Sequence, residues 1–168
     1  MIYKLLGSLV LLFAGGYVSM AITRFERRRL RVLDGYISLI YYIKGQIDCY
    51  AMPLSDIMAS ADPAVLAACL GLDVSAACLP PTVTGDRPIT AMVEESRLYL
   101  EPEVERLLTT LTGELGSTYR AEQVTRCDHY LTALTEERRK LGDSLPARLR
   151  AICTLCLCSA VVAALLLW

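Results

Sequence analysis

Two uncharged apolar stretches of equal length frame the chain. Leu5 to Ile22 and Ala151 to Trp168 each hold 18 residues without a charge. At about 1.5 Å of helical rise per residue, each reaches roughly 27 Å, close to the hydrocarbon thickness of a bilayer. Between them the pattern changes. Leu30, Leu33, Ile37, Ile40 and Ile47 recur at steps of three, four and seven, which places them on one face of a helix. No proline or turn cluster separates this stripe from the first apolar stretch, so one helix is predicted from about Leu5 to Tyr50. Gly35 and Gly45 weaken it locally, by up to about 1 kcal/mol each relative to alanine. Tyr36, Tyr41, Tyr42 and Tyr50 crowd its distal half and are expected at core and boundary positions, with hydroxyls at the surface.

Pro53 ends that helix. Short helices are predicted over Leu54–Ala59 and Pro63–Leu70, the second with Asp62 as N-cap, Pro63 at its first position and Gly71 just past its end. Residues 72–86 contain Pro80-Pro81 and Gly85 and read as a loop. A helix from Pro88 to about Leu100 follows, then a break at Glu101-Pro102, then a helix from Glu103 to Leu115 closing at Gly116. Ser117 or Thr118 is expected to cap a long final helix. On it Val124, Cys127, Leu131, Leu134, Leu141, Leu145 and Leu149 form a heptad-like stripe suited to antiparallel packing on the first helix. Asp143-Ser144-Leu145-Pro146 predicts a kink or break near Gly142, with Ser144 capping a new helix. No segment alternates with period two for long enough to make a strand. The fold class is therefore all-α: a bundle of about six helices flanked by N- and C-terminal transmembrane helices.

Charge adds an orientation. All eighteen acidic residues fall between Glu26 and Asp143. Arg24, Arg27, Arg28, Arg29 and Arg31 follow the first apolar stretch, and Arg138, Arg139, Lys140, Arg148 and Arg150 precede the second. Basic residues near a span are retained in the cytoplasm. Three regions follow: residues 1–23 as a first span, 24–150 as a cytoplasmic helical bundle, and 151–168 as a second span with Trp168 at the far interface. A cleaved signal peptide competes for the first stretch, because Ser19-Met20-Ala21 offers small residues at plausible cleavage positions. Five arginines just beyond that point oppose export, and Lys4 alone makes a thin basic flank. A buried core helix competes for the second stretch, but the sequence has no later segment to cover it.

Candidate chemistry is sparse. Seven cysteines, an odd number, suit reduced thiols acting as small hydrophobes rather than a disulfide framework. Cys153, Cys156 and Cys158 contain a C-x-x-C spacing, from which the alternative function comes: a membrane-embedded thiol redox or metal-binding protein. Structural zinc needs four ligands, and no histidine is near. His129 is the one histidine, and neither a nucleophile elbow nor a facing partner accompanies it. No phosphate-binding loop, dinucleotide fingerprint or zinc-protease helix occurs. The expectation is a non-enzyme with no catalytic residues, cofactor, metal or small-molecule substrate. The basic cluster at 24–31 lies beside a span, so anionic lipid is its expected contact and nucleic acid is not. Glu94, Glu95, Glu101, Glu103 and Glu105 form an acidic run that reads as a solvated face able to dock a basic partner, and the loop Leu72 to Asp86 is a second candidate contact. Self-association is left open.

Several local matches then give the layout a family likeness. The chain starts Lys4-Leu5-Leu6-Gly7, leaves its first span through arginines, continues as a long helix to a Pro53-Leu54 step, and closes on a second span. Thr90-Ala91-Met92-Val93-Glu94 falls in the helix expected from Pro88, and Gly113-Glu114-Leu115-Gly116 is followed seven residues later by Gln123. Together these resemble the stage III sporulation protein AB family of endospore-forming bacteria. It departs at Tyr119, at Thr125, at the Asp143–Pro146 interruption and in a cysteine-rich rather than glycine-rich last span. The resemblance implies membership of an assembly joining mother cell and forespore. It implies a cytoplasmic domain on the mother-cell side, type II secretion F-like, similar to the platform proteins of type II secretion and type IV pilus machines. The implied partners are a secretion-type ATPase and other membrane components of the channel.

Overall fold

A computed structural model of the protein describes the backbone of residues 2–50, 52–72, 88–115 and 119–166; within these, the side chains of 2–12, 88, 157, 160 and 164–166 are not described. Six α-helices appear among the described residues: α1 (Ile2–Tyr50), α2 (Leu54–Ala59), α3 (Pro63–Cys69), α4 (Pro88–Ser96), α5 (Pro102–Glu114) and α6 (Arg120–Leu166). A single 3-10 turn, Arg97–Tyr99, follows α4. The expected helix ending at Leu100 therefore tightens at Arg97, as helix ends commonly do. The chain divides into two compact units, residues 28–140 and residues 1–27 with 141–168.

The core lies in the 28–140 unit. On α1, Val32, Tyr36, Leu39 and Ile43 are the most deeply buried, stepping by four, three and four. Leu33, Ile40 and Ile47 flank them, while Leu30 and Ile37 are only half-buried. The apolar face is thus broader than the sequence stripe, because the helix is covered on more than one side. Ile57 and Met58 of α2, Leu66 and Cys69 of α3, Met92 and Val93 of α4, and Val104, Leu108 and Leu111 of α5 join it. From α6 come Cys127, Tyr130, Leu131 and Leu134. Ion pairs record antiparallel packing of the two long helices in this unit. Asp34 pairs with Arg138 at 2.8 Å, and ten residues on in α1 Lys44 meets Asp128, ten residues back in α6.

The α3 corner follows from local chemistry. Asp62 Oδ1 accepts the Ala64 N–H at 2.8 Å, and Pro63 opens the helix where its missing N–H costs nothing. Gly71 sits at φ +65, with its N–H on the Ala68 carbonyl and the Leu72 N–H on the Ala67 carbonyl, the paired bonds of a Schellman end. Gly35 is needed for another reason. A Cβ there would lie 2.7 Å from the Cys69 nitrogen and 2.9 Å from the Ala68 carbonyl carbon, so the end of α3 rests directly on the α1 backbone.

Two expectations are corrected. No break occurs near Gly142: α6 runs unbroken with Pro146 inside it. Ser144 starts no new helix and instead donates to the Leu141 carbonyl at 3.1 Å. The proline removes one backbone bond, to the Gly142 carbonyl, and its ring faces a residue with no side chain to add to the crowding. The Tyr36 hydroxyl is also not at the surface, since the whole residue is buried. The start of α6 has Tyr119 in the N-cap position, its carbonyl accepting from Gln123 at 3.0 Å. Ser117 and Thr118, the expected caps, lie outside the described residues, as do Gly116 and most of the 72–86 loop.

Candidate functional site

The arginines leaving the first apolar stretch have different fates. Successive helical residues diverge by about 100°, so neighbours in sequence face different surroundings. Arg28 donates through Nε to the Gly71 carbonyl and lays its guanidinium 5.0 Å above the Tyr99 ring centroid. Arg29 donates to the Tyr99 carbonyl at 3.3 Å and pairs with Glu101 at 3.0 Å. These two side chains tie the end of α3, the 3-10 turn and the start of α5 to α1. Arg31 is exposed. At the other end of the unit, Arg138 holds Asp34, Arg139 holds Glu136 at 2.8 Å, and Lys140 holds Glu137 at 2.7 Å. The Arg139 guanidinium holds the Glu136 carboxyl below the usual range.

Arg24, Arg27, Arg148 and Arg150 belong to the other unit and are exposed. Among the described residues no carboxylate pairs with any of them. Here too apolar side chains are open: Phe13 and Tyr17 on α1 are 72% and 76% exposed, with Met20, Leu155, Val161 and Val162 also exposed. Of the expected first span, the side chains of 5–12 lie outside the described residues. Among the described residues one helix, α6 within Arg120–Ala163, is long and apolar enough to cross a membrane, and none of its apolar window is buried.

The acidic run is partly neutralised within its own unit. Glu101 pairs with Arg29, Glu103 with Arg106 at 2.9 Å, and Glu105 with Arg97 at 2.8 Å. Glu94 and Glu95 remain exposed on α4, near the 3-10 turn that carries the exposed Leu98. A basic partner on this face would compete with three internal cations. Leu98 gave no signal in the sequence, because it opens the run Leu98-Tyr99-Leu100, whose other two members pack on the core.

The remaining sequence candidates take structural positions. Pro53 presents its carbonyl to the N–H groups of Asp56 and Ile57 at the start of α2, and Leu54 packs on the core. Leu115 ends α5 and also packs on the core, while Gln123 is half-buried in the first turns of α6. Cys69 and Cys127 are buried, and burial pushes both thiols up, so they stay protonated. Cys153 touches the Ser19 hydroxyl at 2.8 Å. Cys156 is half-buried like Cys153, but Cys158 is exposed and lies on another face of the helix, so the three thiols do not converge. No group of three or more potential metal ligands occurs among the described residues.

The residue pair missed by sequence reasoning is Tyr36 and Ser96. Their hydroxyls meet at 2.7 Å inside the core, where Ser96 also donates to the Val93 carbonyl at 3.3 Å. Burial raises the Tyr36 phenol well above its ordinary value. This is a satisfied core contact between α1 and α4.

Searches of curated proteins and of solved structures found no match. The stage III sporulation protein AB family matches residues 4–168, nearly the whole length. The chain belongs to the stage III sporulation protein AB family.

Proposed function

We propose that the protein is a membrane-anchored platform of a sporulation channel between mother cell and forespore, without turnover of its own. In this role α1 and α6 hold the 28–140 unit at the cytoplasmic face, where it contacts a secretion-type ATPase and other membrane subunits. The family match over residues 4–168 is the observation that carries the sporulation role. Three features support the finer reading. The core of the 28–140 unit is closed and apolar, leaving its chemistry to its surface. The span-length stretch of α6 is unburied. The Phe13, Tyr17, Leu155 and Val162 side chains are open, which suits lipid rather than water. Clean deletion in the host is expected to block spore development, and full-length protein purified from sporulating cells is expected to bring the ATPase with it. Normal spore yield after deletion contradicts the role; loss of spores with no ATPase recovered contradicts the platform assignment alone.

A further inference from the structure

Basic residues beside a span can pair within the protein or reach the bilayer surface. This protein sorts them by unit. In residues 28–140, Arg28, Arg29, Arg138, Arg139 and Lys140 all have protein partners. In the unit of residues 1–27 and 141–168, Arg24, Arg27, Arg148 and Arg150 are exposed and unpaired among the described residues.

Their heights follow from one contact. Ser19 Oγ meets Cys153 Sγ at 2.8 Å, which fixes α1 against α6 in this unit. The chain leaves the unit at the C-terminal side of α1's first part and re-enters at the N-terminal side of α6's last part, so the helices run antiparallel. Arg24 lies five residues after Ser19 and Arg148 five before Cys153, about 7.5 Å along each axis. The two stand at one level. Arg150 is about 3 Å nearer the Ser19 contact and Arg27 about 4.5 Å farther. On α1, Phe13, Tyr17, Met20, Arg24 and Arg27 step by four, three, four and three, so they share one stripe, and all are exposed. That stripe is apolar and aromatic first, then cationic within one turn, the profile of a headgroup boundary.

We propose that Arg24, Arg27, Arg148 and Arg150 form a collar that binds the phosphates of anionic phospholipids at the membrane surface. The collar rests on α1 and α6 both being spans. Charge decides the lipid class. Set against the unit's two carboxylates, Glu26 and Asp143, the four arginines leave a net positive charge within about 7.5 Å of height, which favours a net-negative headgroup over a zwitterionic one. Guanidinium groups also bind phosphate oxygens in a bidentate way.

The test uses full-length protein in lipid nanodiscs at low salt, with phosphatidylcholine alone or mixed with phosphatidylglycerol. Wild type is expected to melt several degrees higher in the anionic discs. Replacing the four collar residues by glutamine (R24Q/R27Q/R148Q/R150Q) should abolish that gain, and replacing them by lysine should keep it, because charge is retained. Replacing Arg28 and Arg29 by glutamine should lower Tm in both discs and keep the gain. Equal melting of wild type in the two discs, or a glutamine variant that keeps the gain, overturns the collar. Inorganic phosphate reproducing the gain in phosphatidylcholine discs overturns the bilayer as its source. Protein that enters neither disc marks failure of the spans themselves, and the collar falls with them.

Discussion

A single buried hydroxyl pair sets the tone of the core. Tyr36 reaches Ser96 across 60 residues of sequence, and both are fully buried. Tyr36→Phe removes that bond while Ser96 keeps the Val93 carbonyl, so a loss of about 1 kcal/mol in unfolding free energy is expected from denaturant titration. The sign of its pH dependence is fixed by burial. An unfolded tyrosine ionises near 10.0, whereas the folded phenol resists ionisation. Its stabilising contribution is complete below that pH and is lost as pH rises beyond it. Wild type should therefore lose stability more steeply above pH 10 than Tyr36→Phe does, and equal slopes would contradict the burial. Gly35 and Gly45, two of the glycines inside α1, looked alike in sequence but make an opposite pair. Gly35→Ala drives a Cβ into the backbone of α3 and should cost about 1–3 kcal/mol. Gly45→Ala meets open space and should stabilise by about 0.5–1 kcal/mol, as helix propensity dictates. Thermal melting of both variants checks the contrast.

Helix pairing depends on the apolar stripe more than on the charges that mark its register. The Asp34–Arg138 pair is about half exposed on both sides, so its loss in Asp34→Asn should cost at most about 1 kcal/mol. Leu134, one turn away on α6 and fully buried, should cost about 2–5 kcal/mol as Leu134→Ala. Comparable losses would mean that ion pairs, not packing, join α1 to α6. The elements themselves were largely legible in the sequence where local chemistry governs. Asp62, Pro63 and Gly71 announce both ends of α3, Pro53 announces the end of α1, and Glu101-Pro102 announces a break, although α5 takes Pro102 as its first residue rather than starting at Glu103. Pro146 misled because the rule for helix interiors is also local, while continuation of α6 depends on Gly142 and on the helix around it. The inward turn of Arg28 and Arg29 was not legible: their partners Gly71, Tyr99 and Glu101 come from segments 43 to 72 residues away.

At the scale of the whole molecule, the all-helical class and the family likeness were open to inspection from the Arg-rich exit, the Pro53-Leu54 step and the Gly113–Gly116 stretch. The membrane arrangement is where the functional reading is most exposed. A platform requires both apolar helix ends in the bilayer and the intervening unit on the inner side, so that a cytoplasmic ATPase can reach it. Epitope tags at the N-terminus, in the α2–α3 turn at Ser60-Ala61, and at the C-terminus report this directly in intact and permeabilised cells. The account expects antibody to reach both terminal tags in intact cells and the turn tag only after permeabilisation. A turn tag accessible on intact cells would contradict it.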